Sequence, residues 1–154
     1  MKYISTRGAA TPLEFEDVLL TGLAADGGLY VPMLWPQLDE EALRNMRGLP
    51  YTEVAQRVIA PFVGGAIPDD DLRRIIEKSY AGFNHHCVTP MIQLDSQLWL
   101  LELFHGPTLA FKDVALQLLG NLFDYILARR KQRLTIIGAT SGDTGSAAIH
   151  ACKG

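Results

Sequence analysis

Short alternating stretches and helical stripes predominate in the first part of the chain. Residues 2–6 alternate polar and apolar side chains, a pattern that favours a β-strand. Residues 51–62 and 69–80 instead place apolar side chains on one helical face, with an expected interruption of the first stripe at Pro61. Aspartates at the beginning of the second stripe suit the positive end of a helix dipole. The pattern predicts a small, largely helical domain over residues 1–88.

After residue 88 the pattern becomes that of an α/β domain. Two short apolar stretches, 91–94 and 98–103, flank a polar turn and are expected to form two strands. Residues 111–130 carry a broad apolar face, which predicts a long helix packed on a sheet. The β-branched run 134–137 predicts a buried parallel strand, followed by a loop and a further helix. Strand, loop and helix in this order begin an α/β sheet domain, which we assign to residues 89–154.

The end of the chain gives a further expectation. A βα unit normally continues to another parallel strand, whereas this chain stops soon after its last predicted helix begins. We therefore expect a truncated α/β domain, whose last helix and sheet edge have further neighbours in a longer protein.

The composition is that of an ordinary globular protein, with 48% hydrophobic and 20% charged residues. A formal net charge of -3 gives no indication of nucleic acid or an anionic membrane as a partner. No apolar run approaches the about 20 residues that span a bilayer, and no signal-peptide pattern opens the chain. The two distant cysteines form no disulfide framework, so a cytoplasmic location is expected. His85, His86 and Cys87 predict no metal site, because no second ligand pair at suitable spacing accompanies them.

Lys112, at the beginning of the predicted long helix, is the first candidate for chemistry. Its apolar surroundings and the positive end of the helix both favour a neutral amine, which is the form that acts as a Schiff-base nucleophile. A surface lysine at the start of a helix is the plainer interpretation, and spacing alone favours it.

The second candidate is the loop 138–145, Gly-Ala-Thr-Ser-Gly-Asp-Thr-Gly, between a predicted strand and a predicted helix. Backbone N–H groups at a helix N-terminus bind anions, and ligands of open α/β sheets bind at the carboxyl ends of strands. A carboxylate or phosphate group is therefore a plausible ligand, although a tight turn with a hydroxyl cap explains the loop equally well. The loop matches neither the Walker A pattern nor G-x-G-x-x-G, which weakens a nucleotide-binding interpretation.

Four segments together resemble the threonine synthases of the bacterial and fungal type. His-Gly-Pro-Thr at 105–108, followed by Ala-Phe-Lys-Asp at 110–113, is similar to the cofactor-lysine motif of that family. Thr-Ser-Gly-Asp-Thr-Gly at 140–145 is similar to its substrate-carboxylate loop. Tyr-Ile-Ser-Thr-Arg-Gly at 3–8 and Asp-Gly-Gly-Leu-Tyr-Val-Pro at 26–32 are typical of its N-terminal domain. The resemblance covers essentially the whole chain, with the segments in the family's order.

The resemblance implies a pyridoxal-phosphate enzyme of fold type II, the tryptophan-synthase-β type. It implies a carbon–oxygen lyase acting on phosphates, which converts O-phospho-L-homoserine and water into L-threonine and phosphate in threonine biosynthesis. By the family pattern, Lys112 forms the Schiff base with the cofactor and later moves protons at the substrate's Cα and Cβ. The small-molecule substrate is the only partner implied, and the oligomeric state has no signal in the sequence.

The same resemblance assigns the loop residues. Ser141, Gly142, Asp143 and Thr144 match positions that hold the substrate carboxylate, and Asp143 also lies beside the cofactor ring. Thr140 is expected to shape the turn, and His105 to pack against or orient the loop before the lysine. The family's loop for the cofactor phosphate is absent from these residues. We therefore expect the 154-residue chain to be inactive by itself and to bind pyridoxal phosphate weakly at best.

Two alternatives remain at this point. The first is a related pyridoxal-phosphate enzyme that acts as a phospho-lyase, releasing phosphate from the same substrate without forming threonine. The second is a non-catalytic domain that binds a phosphate or carboxylate ligand through the loop 138–145. The second alternative gives Lys112 no role, so covalent trapping of that lysine separates it from the two enzymes.

Overall fold

The computed structural model describes residues 1–153. Its internal contacts divide the chain into two compact units, Met1–Leu49 with Glu53–Arg73, and Pro50–Thr52 with Arg74–Gly154. Two of the boundaries between the units fall within helices, after Thr52 and after Arg73. The two domains expected from the sequence, 1–88 and 89–154, therefore stay a prediction.

The first unit contains a three-stranded antiparallel sheet. In the order β2-β1-β3, its strands are β2 (Leu13–Glu14), β1 (Lys2–Ser5) and β3 (Tyr30–Pro32). The strand predicted over residues 2–6 is confirmed by β1, whose alternation buries Tyr3 and Ser5. The Tyr3 hydroxyl donates a hydrogen bond of 2.8 Å to the Phe62 carbonyl. The sheet is thereby tied to the helix that contains Phe62.

The two N-terminal segments of the family resemblance meet at the carboxylate of Asp26. One oxygen accepts hydrogen bonds from Ser5 Oγ at 2.7 Å and from the Gly28 N–H at 2.9 Å. The other accepts from the N–H groups of Ala9 and Ala10 at 2.9 and 3.0 Å. These hydrogen bonds, that from Ser5 first among them, lower the pKa of Asp26 from 3.8 to about 2. A single carboxylate therefore connects β1 to the turn that precedes β3.

Four helices occur in the first half of the chain: α1 (Phe15–Thr21), α2 (Glu40–Arg44), α3 (Tyr51–Val63) and α4 (Asp69–Tyr80). The two helical stripes predict α3 and α4, and both are confirmed. The interruption expected at Pro61 is wrong, because this proline lies within the last turn of α3 and costs that turn only one backbone hydrogen bond. Helix α1 was not predicted, and it has no fully buried residue.

The second unit contains the hairpin of β4 (Met91–Gln93) and β5 (Trp99–Leu101). This confirms the two predicted strands, although both are shorter than expected. Apolar side chains on both faces of the hairpin remain exposed, among them Ile92 and Trp99 at 44% and 51%. Helix α5 (Asp113–Arg130) confirms the predicted long helix, and α6 (Asp143–Ala151) packs against it. None of the helices in the described residues is long and apolar enough to cross a membrane.

The buried parallel strand predicted over residues 134–137 is wrong for this structure. Residues 132–140 form neither helix nor strand, and the side chain of Ile137 is 93% exposed. A strand requires a neighbour that accepts and donates its backbone hydrogen bonds, and within residues 1–153 no strand pairs with this segment. β-branched composition shows only that a segment fits a sheet once a sheet is there.

Candidate active site

The backbone of Lys112 occupies a fixed position at the start of α5. It is the residue immediately before the helix, with helical φ and ψ of -64° and -20°. Its carbonyl accepts hydrogen bonds from the N–H groups of Leu116 at 2.8 Å and Ala115 at 3.2 Å. The lysine is half-buried, and its Nζ lies 4.8 Å from the centre of the Phe111 ring, within the range of a cation–π contact.

Lys112 and the glycine-containing loop reach the same cavity. This cavity has a volume of about 410 Å³, and its lining includes both Lys112 and Thr144. The rest of its wall is apolar: Leu103, Phe111, Val114, Ala115 and Leu116. An apolar cleft of a few hundred Å³ with few polar groups is the usual form of a small-molecule site. The fold thus brings together one residue from each of the two segments that the sequence singles out for chemistry.

A buried carboxylate holds the loop before Lys112. Asp113, the first residue of α5, is 0% exposed. Its oxygens accept hydrogen bonds from the Thr108 N–H at 2.8 Å and from the Thr108 hydroxyl at 2.9 Å, and Gln117 Nε2 donates a longer one of 3.4 Å. Gly106 lies so close that a Cβ there would overlap the Asp113 side chain. In this motif, the threonine therefore donates hydrogen bonds to the aspartate, and the glycine leaves room for its side chain.

His105 fixes the beginning of the same loop. Its Nε2 lies 2.7 Å from Glu102 Oε2, and both side chains are mostly shielded from solvent. Its backbone carbonyl accepts a hydrogen bond of 2.8 Å from the Asn84 N–H. These contacts support the role of packing and orienting the loop that the resemblance suggests for His105.

The loop before α6 is shaped by Thr140. The hydroxyl oxygen of Thr140 accepts hydrogen bonds from the N–H groups of Gly142 at 3.1 Å and Gly145 at 3.0 Å. Gly142 precedes the helix with a φ of 133°, a conformation that L side chains rarely adopt. Within residues 1–153, the N–H groups of Asp143 and Thr144 have no hydrogen-bond acceptor. The first turn of α6 therefore offers two free donors at its positive end.

The remaining loop residues lie outside the cavity wall. Ser141, Gly142 and Asp143 are exposed, and of the predicted loop residues only Thr144 lines the cavity with Lys112. Among the described residues, no group of three or more His, Cys, Asp and Glu side chains is arranged to hold a metal ion. The rings of His85 and His86 stack on each other at 4.9 Å.

Two residues of this site were given no role by sequence reasoning. Asp113 and Thr108 were quoted only as parts of a motif, and their contact spans five positions across a loop of irregular backbone. Their spacing is not characteristic of any common turn. The only signal was chemical: an aspartate next to the candidate lysine, at the start of an otherwise apolar helix.

Comparison with known proteins identifies the family. Residues 2–80 match the family model described as threonine synthase N terminus. Threonine synthase of Pseudomonas aeruginosa is 60% identical over 153 residues, which cover 99% of this chain and 33% of that protein. A mouse protein named threonine synthase-like 2 is 43% identical over 155 residues, covering 100% of this chain and 32% of the mouse protein.

A solved structure agrees with these relatives. The crystal structure of PLP-bound threonine synthase from Brucella melitensis is 56% identical and superposes with a TM-score of 0.96, covering 99% of this chain and 33% of that chain. The predicted fold class, an N-terminal region followed by the start of the α/β domain of such enzymes, is thereby confirmed. The chain spans about a third of the length of the relatives that it matches. It belongs to the threonine synthase N-terminus family.

Proposed function

We propose that the full-length protein is a threonine synthase, a pyridoxal-phosphate-dependent lyase that converts O-phospho-L-homoserine and water into L-threonine and phosphate. The observation that carries this proposal is the cavity of about 410 Å³ shared by Lys112 and Thr144. Its two polar residues come from the two motifs that resemble the family's cofactor lysine and substrate loop. The 60% identity to the Pseudomonas aeruginosa enzyme over this region supports the same reaction.

The residues around the cavity fit the ring and aldehyde of pyridoxal phosphate. Lys112 forms part of the wall, and the apolar side chains of Leu103, Phe111 and Leu116 provide a surface for an aromatic ring. The neighbouring structure from Brucella melitensis is of a PLP-bound enzyme. By the family resemblance, the groups that hold the cofactor phosphate lie beyond residue 154.

In this proposal Lys112 has two tasks. Its amine nitrogen would hold the cofactor through the aldehyde carbon and so place it in the cavity. When bound, pyridoxal phosphate supplies an electron sink for negative charge at the substrate carbons. With the substrate bound, the Lys112 amine would lie beside it and move protons at Cα and Cβ. Phosphate leaves from Cγ, and water adds at Cβ.

The loop before α6 binds the substrate carboxylate in this proposal. The N–H groups of Asp143 and Thr144 and the hydroxyl of Ser141 donate to it, with Gly142 allowing the backbone to approach closely. The positive end of α6 and the lack of other acceptors for these two N–H groups support this assignment. The Asp143 side chain is assigned to the cofactor ring, as in the family pattern. Thr144 lines the cavity together with Lys112.

We further propose that residues 1–88 and 89–154 belong to separate domains of a cytoplasmic enzyme. The family model, which ends at residue 80, supports a boundary in this part of the chain. The absence of a disulfide pattern for the two exposed cysteines, Cys87 and Cys152, supports a reducing compartment.

Covalent trapping of the full-length protein tests the role of Lys112. The protein is incubated with pyridoxal phosphate, reduced with borohydride, digested and analysed by mass spectrometry. We expect a pyridoxyl group on Lys112 and its loss in Lys112→Ala, with threonine formation abolished. Lys78→Ala removes a lysine that is 70% exposed and serves as the matched control with unchanged labelling of Lys112. Normal turnover by Lys112→Ala would refute the assignment of Lys112, whereas absence of labelling at Lys112 in the unmodified protein would favour a non-catalytic ligand-binding domain.

The second candidate is a phospho-lyase acting on the same substrate, because the cavity lined by Lys112 and Thr144 would serve either reaction. Both enzymes use Lys112 in the same way and differ in the fate of the substrate after phosphate leaves. A product assay separates them, since a synthase forms threonine in equal amount to phosphate. Phosphate release without threonine would identify the lyase.

A further inference from the structure

Asp113 is a buried carboxylate for which the proposed reaction has no use. It is 0% exposed and follows Lys112 directly. Burying a carboxylate is costly unless its oxygens accept good hydrogen bonds, and the donors here are both polar groups of Thr108. The hydrogen bonds of this buried carboxylate therefore stabilise the loop before α5. The carboxylate belongs to the residue next to the proposed cofactor lysine.

The contact closes the loop on itself. Gly106 packs against the Asp113 side chain with no room for a Cβ, and the Gly106 carbonyl accepts a hydrogen bond of 3.1 Å from the Leu109 N–H. Leu109 adopts a left-handed φ of 63°, which is uncommon for a residue with a branched side chain. Such a conformation persists only where surrounding contacts hold it. The Asp113–Thr108 hydrogen bonds are the contacts that span this turn.

The same contact fixes the direction in which the lysine leaves the backbone. Asp113 is held at its side chain by Thr108 and at its N–H by the Ala110 carbonyl, at 3.0 Å. The carbonyl of Lys112 is held by the first turn of α5. The peptide between Lys112 and Asp113 is therefore held at both ends, so the loop and the first turn of α5 fix the backbone from which the Lys112 side chain reaches the cavity wall.

We propose that Asp113, acting through Thr108, is a positioning residue that orients Lys112 for bonding to its cofactor. This inference rests on the proposed function of Lys112 and adds a role for a residue that touches neither cofactor nor substrate. In this role, the buried carboxylate determines how fast and how completely the cofactor attaches to Lys112. Reactions that depend on near-attack geometry lose about a hundredfold in rate for a misplacement of about 1 Å.

The test measures attachment directly in the full-length protein. Pyridoxal phosphate is added, samples are reduced with borohydride at successive times, and the pyridoxyl group on Lys112 is quantified by peptide mass spectrometry. Exposed Lys131, at the other end of the same helix, is the internal reference in every sample. Two variants disrupt the contact: Thr108→Val removes only the hydroxyl donor, and Asp113→Asn replaces one acceptor oxygen by an N–H donor. Thr108→Ser keeps both donors, and Asp124→Asn changes an exposed carboxylate on α5.

We expect Thr108→Val and Asp113→Asn to slow labelling of Lys112 relative to Lys131 by about ten- to a hundredfold. Thr108→Ser and Asp124→Asn should stay within about twofold of the unmodified protein, since neither removes a donor or acceptor of this contact. Circular dichroism identifies variants that remain folded. If Asp113→Asn does not fold, Thr108→Val, a change of similar shape, decides the matter.

Folded Thr108→Val with unchanged labelling of Lys112 overturns the inference while leaving the cofactor lysine in place. Equal slowing by Thr108→Ser also overturns it, because the hydroxyl donor is then not what matters. Absence of labelling at Lys112 in the unmodified protein overturns the proposed function itself, and the positioning role with it. Labelling of Lys112 in the unmodified protein therefore distinguishes failure of the positioning role from failure of the proposed function.

Discussion

Replacement of Ile126 by alanine tests whether α5 is held by its buried face. Ile126 is 0% exposed, so its side chain contributes its full apolar area to the core of the second unit. Removing three buried carbon atoms at about 0.8 kcal/mol each amounts to about 2.4 kcal/mol. The cavity left behind adds to this, and buried isoleucine-to-alanine changes cost about 2–5 kcal/mol in all. Against a typical total stability of about 5–15 kcal/mol, that is a large fraction.

The matched control is the same substitution at Ile137. This isoleucine is 93% exposed, and its replacement by alanine should change the free energy of unfolding by no more than about 0.5 kcal/mol. Urea unfolding of the 154-residue chain, followed by circular dichroism, gives both values if the slope of each transition is unchanged. Equal losses at the two positions would refute the reasoning, since the two residues differ in burial and not in chemistry.

Two further predictions concern the polar contacts. Because the folded pKa of Asp26 is lowered to about 2 from 3.8, its carboxylate stabilises the fold above about pH 4, and that contribution is lost as pH falls towards 2. Asp26→Asn should therefore flatten the decline of the urea midpoint between pH 4 and 2, and an unchanged pH profile would contradict this. Thr140→Val should raise the Michaelis constant of the full-length enzyme more than it lowers turnover, because the turn before α6 loses its acceptor for two N–H groups. Thr140→Ser, which keeps that acceptor, should behave as the unmodified enzyme in steady-state kinetics.

The local sequence pattern was sufficient to predict the helices and strands that have a clear periodicity of their own. Helices α4 and α5 were predicted because their apolar residues recur at helical spacing, and for α4 also because acidic residues open the first turn. Strand β1 was predicted from a period of two, and the structure buries Tyr3 and Ser5 on one face of it. Helix α1 was not predicted, because it has only seven residues, no buried side chain and no side-chain cap.

The failures concern contacts between distant or irregular segments. The segment 134–137 has the composition of a strand, yet pairing depends on a neighbour that its own residues do not encode. From the residues alone the cavity could be anticipated only as two separate motifs, and it was the family resemblance that implied one site for Lys112 and Thr144. The role of Thr108 and Asp113 depends on a left-handed turn at Leu109, which no propensity favours for leucine.

The exposed hairpin of β4 and β5 has a consequence for how the chain behaves in solution. A two-stranded ribbon has unpaired backbone groups on both edges, and here Ile92, Leu100 and Trp99 also leave both faces apolar. Strands of this kind join those of other molecules unless something covers them. We therefore expect the 154-residue chain to associate as its concentration rises and to return to the monomer on dilution.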